Sequence, residues 1–321
     1  MISTSLTKLF GLSVPIVLAP MGGVSGGRLA AAVSESGGLG LVGGGYGDAA
    51  WLRTELALVR DRTARPWGVG LITWSVDADV VALVLAHEPH AVMLSFGDPR
   101  PFARTVKAAR CKLICQVQDM AGARLAMEAG ADLIVAHGSE GGGHGGGRAT
   151  LPLVPAIVDA VAPIPVIAAG GIADGRGLAA ALMLGAHGAL IGTRFYASHE
   201  ALGHATAKQA IAAASGDETT RTTIFDAVRD LDWPVPYTGR ALRNGFTARW
   251  HGREGELAAA LAQERGVYRA AAAEGDVDTA VVWAGEAVDL IHGLESAGDL
   301  VRRIGDEAEA QLRSGARLVS E

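Results

Sequence analysis

Eight short runs of apolar residues, separated by stretches with helical spacing, constrain the fold of this chain more than any other feature. Each run is almost uniformly apolar, which is typical of strands buried on both faces of a parallel sheet. The runs lie at residues 16–19, 39–42, 67–72, 91–96, 112–117, 132–136, 165–169 and 188–191. Because eight βα units close a barrel, the pattern predicts an α/β fold, a (β/α)8 TIM barrel, with an open doubly wound sheet as the alternative.

The chain changes character after the eighth run. Residues 200–291 are rich in alanine, are interrupted by Pro234 and Pro236, and contain no further apolar run of comparable strength. We expect a ligand-binding barrel over residues 1–200, a smaller helical insertion over 201–293 that covers the barrel mouth, and a C-terminal helix over 294–321 that returns to the barrel. A separate helical domain, unrelated to the site, is the alternative.

Charge and motif content exclude several classes of protein. The net charge of -6 comes from interspersed acids and bases, so we expect neither nucleic acid nor a membrane as partner. The apolar runs are far shorter than the roughly 20 residues that span a bilayer, and the N-terminus lacks a secretory pattern. Metal-binding, P-loop and nucleophile-elbow motifs are absent as well. We therefore expect a cytoplasmic enzyme without a metal.

Two glycine-marked corners follow the seventh and eighth strands, where barrels of this kind commonly bind a phosphate group. These corners contain Gly170, Gly171, Ile172, Gly192 and Thr193. Glycine has no Cβ, so the amides of Gly171 and Thr193 could approach phosphate oxygens closely, and Arg194 could add a positive charge. Two tight turns, with Asp174 capping the next helix, are the alternative.

A single histidine, His144, stands among the glycines of residues 138–147, directly after the sixth strand. Small neighbours leave room for a flat ligand and a substrate to reach the imidazole, whose ordinary pKa of about 6.5 suits proton transfer at neutral pH. A flexible linker with an incidental histidine is the alternative. A linker has no reason to lie at a strand end, so we expect His144 at the barrel mouth as the catalytic residue.

Other strand ends bring further groups to the same mouth. The first strand is followed by a rigid and glycine-containing turn that could lay its backbone against a ring system, made of Ala19, Pro20, Met21 and Gly22. The third, fifth and sixth strands end at Gly70, Gln116 and His137. The amide of Gln116 can both donate and accept a hydrogen bond. Core packing of Met21 and a buried structural role for Gln116 stay open as alternatives.

Taken together, these segments resemble the nitronate monooxygenase family, formerly called 2-nitropropane dioxygenases, over most of the chain. The resemblance is carried by Ala19-Pro20-Met21, Gly142-Gly143-His144, residues 164–172 and Gly192-Thr193-Arg194-Phe195. It implies that the cofactor is FMN, with its phosphate on the two glycine corners and its ring beside the first strand. The expected contacts are Ala19, Pro20, Met21, Gly22, Gly70, Gln116, His137, Gly142, Gly170, Gly171, Ile172, Gly192 and Thr193.

The resemblance also implies a reaction. In that family a nitronate anion gives an electron to FMN, and O2 completes its conversion to a carbonyl compound and nitrite. His144 would be the base for neutral nitroalkanes. The expected partners are a small-molecule substrate and O2, and a homodimer is an open alternative. An NAD(P)H-dependent flavin reductase of the enoyl or quinone reductase type, or a flavin-binding protein without turnover, are the competing functions.

The chain departs from the family's usual pattern near the expected substrate. The family usually has arginine where this sequence has Gly145, and asparagine where it has Gly70. It usually has lysine in place of Gln116, and glutamine in place of both His137 and Glu286. We expect flavin binding to survive these changes. Glu286 could place a carboxylate beside the pocket. The natural substrate and the use of NAD(P)H do not follow from the sequence.

Overall fold

The computed structural model describes residues 2–318 and contains eight parallel strands in one sheet. In chain order, all strands are β1 (Ile16–Leu18), β2 (Gly40–Gly45), β3 (Trp67–Ile72), β4 (Ala91–Ser95), β5 (Lys112–Val117), β6 (Leu133–His137), β7 (Gly143–Gly145), β8 (Val166–Ala169), β9 (Ala189–Ile191), β10 (Thr219–Thr222) and β11 (Thr238–Leu242). The large sheet runs in the order β1-β9-β8-β6-β5-β4-β3-β2. A parallel bridge from Val17 to Leu39 joins its two edges, so the predicted barrel is confirmed.

Helices alternate with the barrel strands and continue after them. They are α1 (Ser5–Phe10), α2 (Gly27–Glu35), α3 (Ala49–Arg62), α4 (Ala78–Leu85), α5 (Arg100–Ala108), α6 (Met120–Glu128), α7 (Thr150–Val161), α8 (Gly175–Met183), α9 (Thr193–Tyr196), α10 (Ala205–Ala213), α11 (Ile224–Arg229), α12 (Gly245–Trp250), α13 (Glu254–Glu274) and α14 (Ala297–Gly315). Single 3-10 turns lie at Gly216–Glu218, Glu286–Leu290 and Ala316–Leu318. None of the helices within residues 2–318 has the length and apolarity needed to cross a bilayer.

Two apolar layers explain why the strand runs are uniformly apolar. In β1, Val17 belongs to the cluster inside the barrel, whereas Ile16 and Leu18 belong to the cluster between strands and helices. Each fully buried side chain of this size contributes about 1.5–3 kcal/mol to folding, so both faces of the strand favour apolar residues. Leu6 and Phe10 of α1 join the inner cluster and cover the amino-terminal end of the barrel.

Aspartates mark the corners that lead from the strands into the helices. Asp48, Asp77, Asp119 and Asp174 are the N-cap residues of α3, α4, α6 and α8, and each accepts hydrogen bonds from first-turn amides. An N-cap carboxylate satisfies amides that have no carbonyl partner in the helix. These corners hold the carboxyl ends of the strands in place around the mouth. Asp174 caps α8, as the alternative interpretation of its corner proposed.

The insertion, residues 201–293, contains two strands that the sequence analysis did not predict. Strand β10 pairs with β11, and β11 pairs with β7, to form a small antiparallel sheet. Strand β10 reads Thr-Thr-Arg-Thr, and two of its four residues are buried. It is polar throughout, so it lacks the apolar signature used to find the barrel strands. Because β7 belongs to this sheet, the glycine-rich segment after β6 is paired structure and not a linker. The three-part division of the chain stays a proposal.

Candidate active site

A cavity of about 220 Å³ opens at the carboxyl ends of the barrel strands. All of the residues that the sequence analysis proposed for the site line it, namely Ala19, Pro20, Met21, Gly22, Gly70, Gln116, His137, Gly142, His144, Gly170, Gly171, Ile172, Gly192 and Thr193. These residues come from six corners of the barrel and from β7. Other barrel residues, such as Tyr46 and Phe96, also line it, and the insertion adds Arg229, Trp233, Trp283, Gly285 and Ala287.

The two corners after β8 and β9 leave their backbone open towards the cavity. Gly170 and Gly171 have φ angles of +101° and +72°. Residues with a side chain rarely adopt such angles. A Cβ at Gly170 would lie 2.8 Å from the carbonyl oxygen of Gly138, whereas one at Gly192 would meet nothing closer than 3.4 Å. The hydroxyl of Thr193 accepts a hydrogen bond of 3.0 Å from the amide of Gly285, so its own proton is available to a ligand. This geometry fits an anionic group such as a phosphate.

Arg194 does not take part in this corner, so the expectation that it adds a charge there is wrong. Its side chain is buried and donates to the carbonyl oxygens of Ala197 at 3.1 Å and Gly293 at 2.7 Å. Burial lowers the pKa of its guanidinium. Arg194 therefore ties the end of the insertion to the barrel.

His137 offers a polar atom that has no partner within residues 2–318. The ring is buried at the end of β6, and its Nδ1 makes no hydrogen bond there. Burial, assisted by the charge of Arg221, lowers its pKa to about 4, so the imidazole is neutral at pH 7. A Cβ at Gly141 would lie 2.3 Å from its Nε2, which shows how closely the glycine segment packs on the ring. An unpaired buried nitrogen at a cavity wall fits the polar edge of a ring ligand.

Two of the proposed glycines act through close packing. A Cβ at Gly70 would lie 2.1 Å from Cγ of Pro20, so glycine at this position makes room for the proline that lines the cavity. A Cβ at Gly142 would lie 2.6 Å from the carbonyl carbon of Ala284. Gly142 thus allows the insertion to approach the barrel mouth.

His144 lies on β7, and its ring is held by a carboxylate. Its Nε2 lies 2.9 Å from both oxygens of Asp226, and both side chains are buried. Burial lowers the pKa of His144, and Asp226 opposes that effect. A carboxylate accepts hydrogen bonds, so neutral His144 carries its proton on Nε2. Its Nδ1 bonds to no residue that the structure describes and is the nitrogen available to take up a proton.

Asp226 lies on α11, 82 residues after His144, and no motif in the sequence predicts that the two residues are partners. Its immediate neighbours Ile224, Phe225 and Val228 are buried. An acidic residue inside a short apolar helix is a weak signal, and nothing local distinguishes Asp226 from the solvent-exposed Asp230. Only the pairing of β7 with β11, which places His144 opposite Gly239, brings Asp226 to the imidazole.

An aromatic cluster, which no sequence pattern predicts, covers His144. Trp233 stacks on the imidazole with ring centroids 3.5 Å apart and an interplanar angle of 3°. Its indole nitrogen donates to the hydroxyl of Tyr46 at 3.0 Å. The other rings in contact with Trp233 are Trp74, Phe96 and Tyr237. The cluster covers one face of the imidazole and limits the access of water to it.

The structure also accounts for two departures from the family's usual pattern. Arg221 of β10 donates to the carbonyl oxygen of Gly145 at 2.7 Å and lies 3.4 Å from where a Cβ of that glycine would be. The guanidinium of Arg221 thus lies beside Gly145, the position where the family usually has an arginine. Glu286 forms an ion pair of 2.8 Å with Arg240 and is not part of the cavity lining. The expectation that it places a carboxylate beside the pocket is wrong.

Comparisons with known proteins agree with this geometry. A family model described as nitronate monooxygenase matches residues 3–80 and 72–307. A nitronate monooxygenase of Neurospora crassa is 34% identical, over 93% of this chain and 90% of its own length. A Mycobacterium tuberculosis protein named (3aS,4S,5R,7aS)-5-hydroxy-7a-methyl-1-oxo-octahydro-1H-indene-4-carboxyl-CoA dehydrogenase is 31% identical, over 98% of this chain and 99% of its own.

A solved structure extends the comparison to three dimensions. The structure of FabK from Thermotoga maritima superposes with a TM-score of 0.89 at 33% sequence identity. The match covers 99% of this chain and 100% of that one. The similarity therefore includes both the barrel and the insertion.

Proposed function

This chain belongs to the nitronate monooxygenase family and is an oxidoreductase, and from that premise we propose that it binds FMN in the cavity and oxidises alkyl nitronates. The products would be a carbonyl compound and nitrite, with O2 as the oxidant. The observation that carries the proposal is the His144–Asp226 pair, a neutral imidazole held by a carboxylate at the wall of a glycine-lined cavity.

The residues present fit a flavin mononucleotide. Gly171, Gly192 and Thr193 would bind the phosphate through backbone amides and one hydroxyl. Pro20 and the unpaired nitrogen of His137 would lie against the ring. When bound, FMN supplies the electron chemistry of the reaction.

The protein's own part in the reaction is to move and hold a proton. Nδ1 of His144 would take the proton from the carbon beside the nitro group of a neutral nitroalkane, and the imidazole would become positively charged. Asp226 would stabilise that charge and keep the ring in one orientation, because its carboxylate accepts from Nε2. General base catalysis of this kind contributes roughly 10²- to 10⁴-fold to a rate.

A second candidate is a flavin-dependent reductase or dehydrogenase that uses NAD(P)H or its oxidised form. The relative named as a carboxyl-CoA dehydrogenase, with 31% identity over 98% of this chain, favours it. In that reaction His144 would exchange a proton with a carbonyl substrate. The barrel, the flavin site and the His144–Asp226 pair would be used in the same way.

Anaerobic titration of the purified protein distinguishes the two candidates. We expect the bound pigment to be identified as FMN after release, and its absorbance to be bleached by propyl-1-nitronate and not by NADH or NADPH. Bleaching by a reduced nicotinamide alone would replace the proposed reaction with the second candidate. Failure of both reductants, together with no turnover of nitronates in air, would favour a flavin-binding protein without turnover.

Replacing the imidazole tests the role of His144. For His144→Gln we expect kcat/KM with neutral nitroalkanes to fall roughly 10²- to 10⁴-fold, while preformed nitronates, which need no base, lose less than about tenfold. His199→Gln, at an exposed position outside the cavity, is the matched control. Equal losses with both forms of substrate would contradict the assignment.

A further inference from the structure

Arg229 is a cavity residue that the proton transfer described above does not use. It is the last residue of α11, three positions after Asp226, and residues at that spacing lie on the same side of a helix. Its side chain lines the cavity together with His144 and Trp233. The carboxylate that holds the candidate base and the guanidinium of Arg229 therefore lie one helical turn apart on α11.

No acidic partner within residues 2–318 forms an ion pair with Arg229. Asp226 is bonded to His144, and the adjacent Asp230 pairs instead with Arg265 at 2.6 Å. The guanidinium lies beside the hydroxyl of Tyr46, where its charge opposes the rise in the tyrosine pKa that burial causes. Tyr46 is neutral at pH 7, so it does not balance the charge of Arg229.

Two other arginines of the insertion already have hydrogen-bond or ion-pair partners within the protein. Arg221 donates to the carbonyl oxygens of Ser139 and Gly145, and Arg240 pairs with Glu286. Both of these side chains brace the chain and neither lines the cavity. A basic residue at the end of α11 is also favourable to the helix dipole, but that interaction would not require the side chain to lie at the cavity wall.

We propose that Arg229 is the anion-binding residue of the cavity and takes a planar group that carries one negative charge on two oxygens. A guanidinium binds such a group through two parallel hydrogen bonds, which a point charge does not reproduce. A nitronate and a carboxylate share this chemistry, and the nitronate as natural ligand rests on the proposed function. Arg229 then stabilises the charge that develops on the substrate when His144 takes its proton.

Binding of a redox-inert anion tests this proposal apart from turnover. Propionate is a planar carboxylate of suitable size, and propionamide is its neutral counterpart. We expect the FMN-loaded protein to bind propionate, as measured by calorimetry and by the flavin difference spectrum. In Arg229→Gln its affinity should fall roughly tenfold to a hundredfold, the range for a hydrogen bond to a charged group. The weaker binding of propionamide should stay the same.

Two further variants keep the test sharp. Arg229→Lys keeps the charge but loses the planar fork, so its affinity for propionate should lie between those of the wild type and Arg229→Gln; it also replaces Arg229→Gln if that variant does not fold. Arg269→Gln, an exposed position on α13, should bind propionate as the wild type does. Flavin content and melting temperature report whether each variant is folded.

The outcomes separate the anion site from the proposed reaction. Equal affinity for propionate in the wild type and both Arg229 variants would overturn the anion site, whatever the reaction is. If propionate binding depends on Arg229 but the wild type does not oxidise nitronates, the anion site stands and the proposed reaction fails. If nitronates are oxidised with the same KM by the wild type and Arg229→Gln, the reaction stands and the anion site fails.

Discussion

Two regions contribute to the cavity in different ways. One is the barrel rim, which consists of the corners that follow the carboxyl ends of the barrel strands, and the other is the insertion, residues 201–293. The rim supplies corners with little or no side chain, such as Gly171 and Gly192, where a ligand can reach the backbone. The insertion supplies the charges of Asp226 and Arg229 and the indole of Trp233, which packs against aromatic rings of the rim. We therefore expect the rim to shape the space for a cofactor and the insertion to set the charges that a substrate meets.

His144 is where the two regions meet. It follows a barrel strand in sequence, yet its own strand β7 is paired with β11 of the insertion. The difference between the regions predicts that variants will fall into two groups. Changes in the rim should reduce flavin affinity, and changes in the insertion should leave the flavin bound and alter proton transfer.

The largest effect is expected for a negative charge in the rim. Two unit charges about 5 Å apart repel one another by roughly 3 kcal/mol at an effective dielectric constant of about 20, so Gly171→Asp should weaken FMN binding by at least about a hundredfold. Fluorescence titration of the flavin-free protein measures the affinity. Gly252→Asp is the matched control, because Gly252 has a similar φ of +79° and a Cβ added there would meet nothing within 4 Å. Similar losses in both variants would show that backbone strain, and not charge, is responsible.

Removing the carboxylate beside His144 should have the next largest effect. In Asp226→Asn we expect flavin content to be unchanged and kcat/KM with neutral nitroalkanes to fall roughly tenfold to a hundredfold, since a hydrogen bond to a charged group contributes about 1.5–3 kcal/mol. Asp226 raises the pKa of His144. Its loss should therefore move the acid limb of the pH profile, where the base becomes protonated, to lower pH. A shift to higher pH would contradict the pairing.

Removing the ring that covers the imidazole of His144 should shift the pH profile in the opposite direction to Asp226→Asn, and by a smaller amount. Burial lowers the pKa of His144, and Trp233 covers one face of the ring. Trp233→Ala admits water, so the pKa should rise towards its ordinary value and the acid limb should move to higher pH by less than about one unit. Trp233→Phe keeps a ring over the imidazole and should resemble the wild type. An unchanged profile in Trp233→Ala would mean that stacking does not control the basicity of His144.

The smallest effect is expected at Glu286, one of the positions where the sequence departs from the family's usual pattern. The side chain of Glu286 is 44% exposed and pairs with Arg240 outside the cavity lining. Water screens the exposed Glu286 carboxylate, so its pairing with Arg240 contributes about 0–1 kcal/mol, and Glu286→Gln should change flavin affinity and kcat/KM by less than about fivefold. Steady-state kinetics at two salt concentrations checks this. A larger loss would mean that Glu286 reaches the substrate after all.

The barrel could be predicted from the sequence because its signals are local. The predicted bounds of β3 and β5 match the structure, and the other six barrel strands differ by one to three residues at an end. A strand buried on both faces must be apolar throughout, so each strand can be recognised from its own residues alone. The glycine corners are equally local, since a positive φ or a close backbone approach, as at Gly171, requires glycine at that position.

The groups that hold the catalytic candidate were decided by the tertiary structure alone. Asp226 and Trp233 approach His144 only because β7 pairs with β11 of the insertion, and β11, which reads Thr-Gly-Arg-Ala-Leu, lacks the uniform apolar run that marks the barrel strands. Arg194 shows the reverse case: its sequence position suggests a ligand, and its buried side chain turns to two carbonyl oxygens. Backbone requirements can be recognised in a few consecutive residues, whereas the partner of a side chain depends on which distant segment the fold brings within hydrogen-bonding distance.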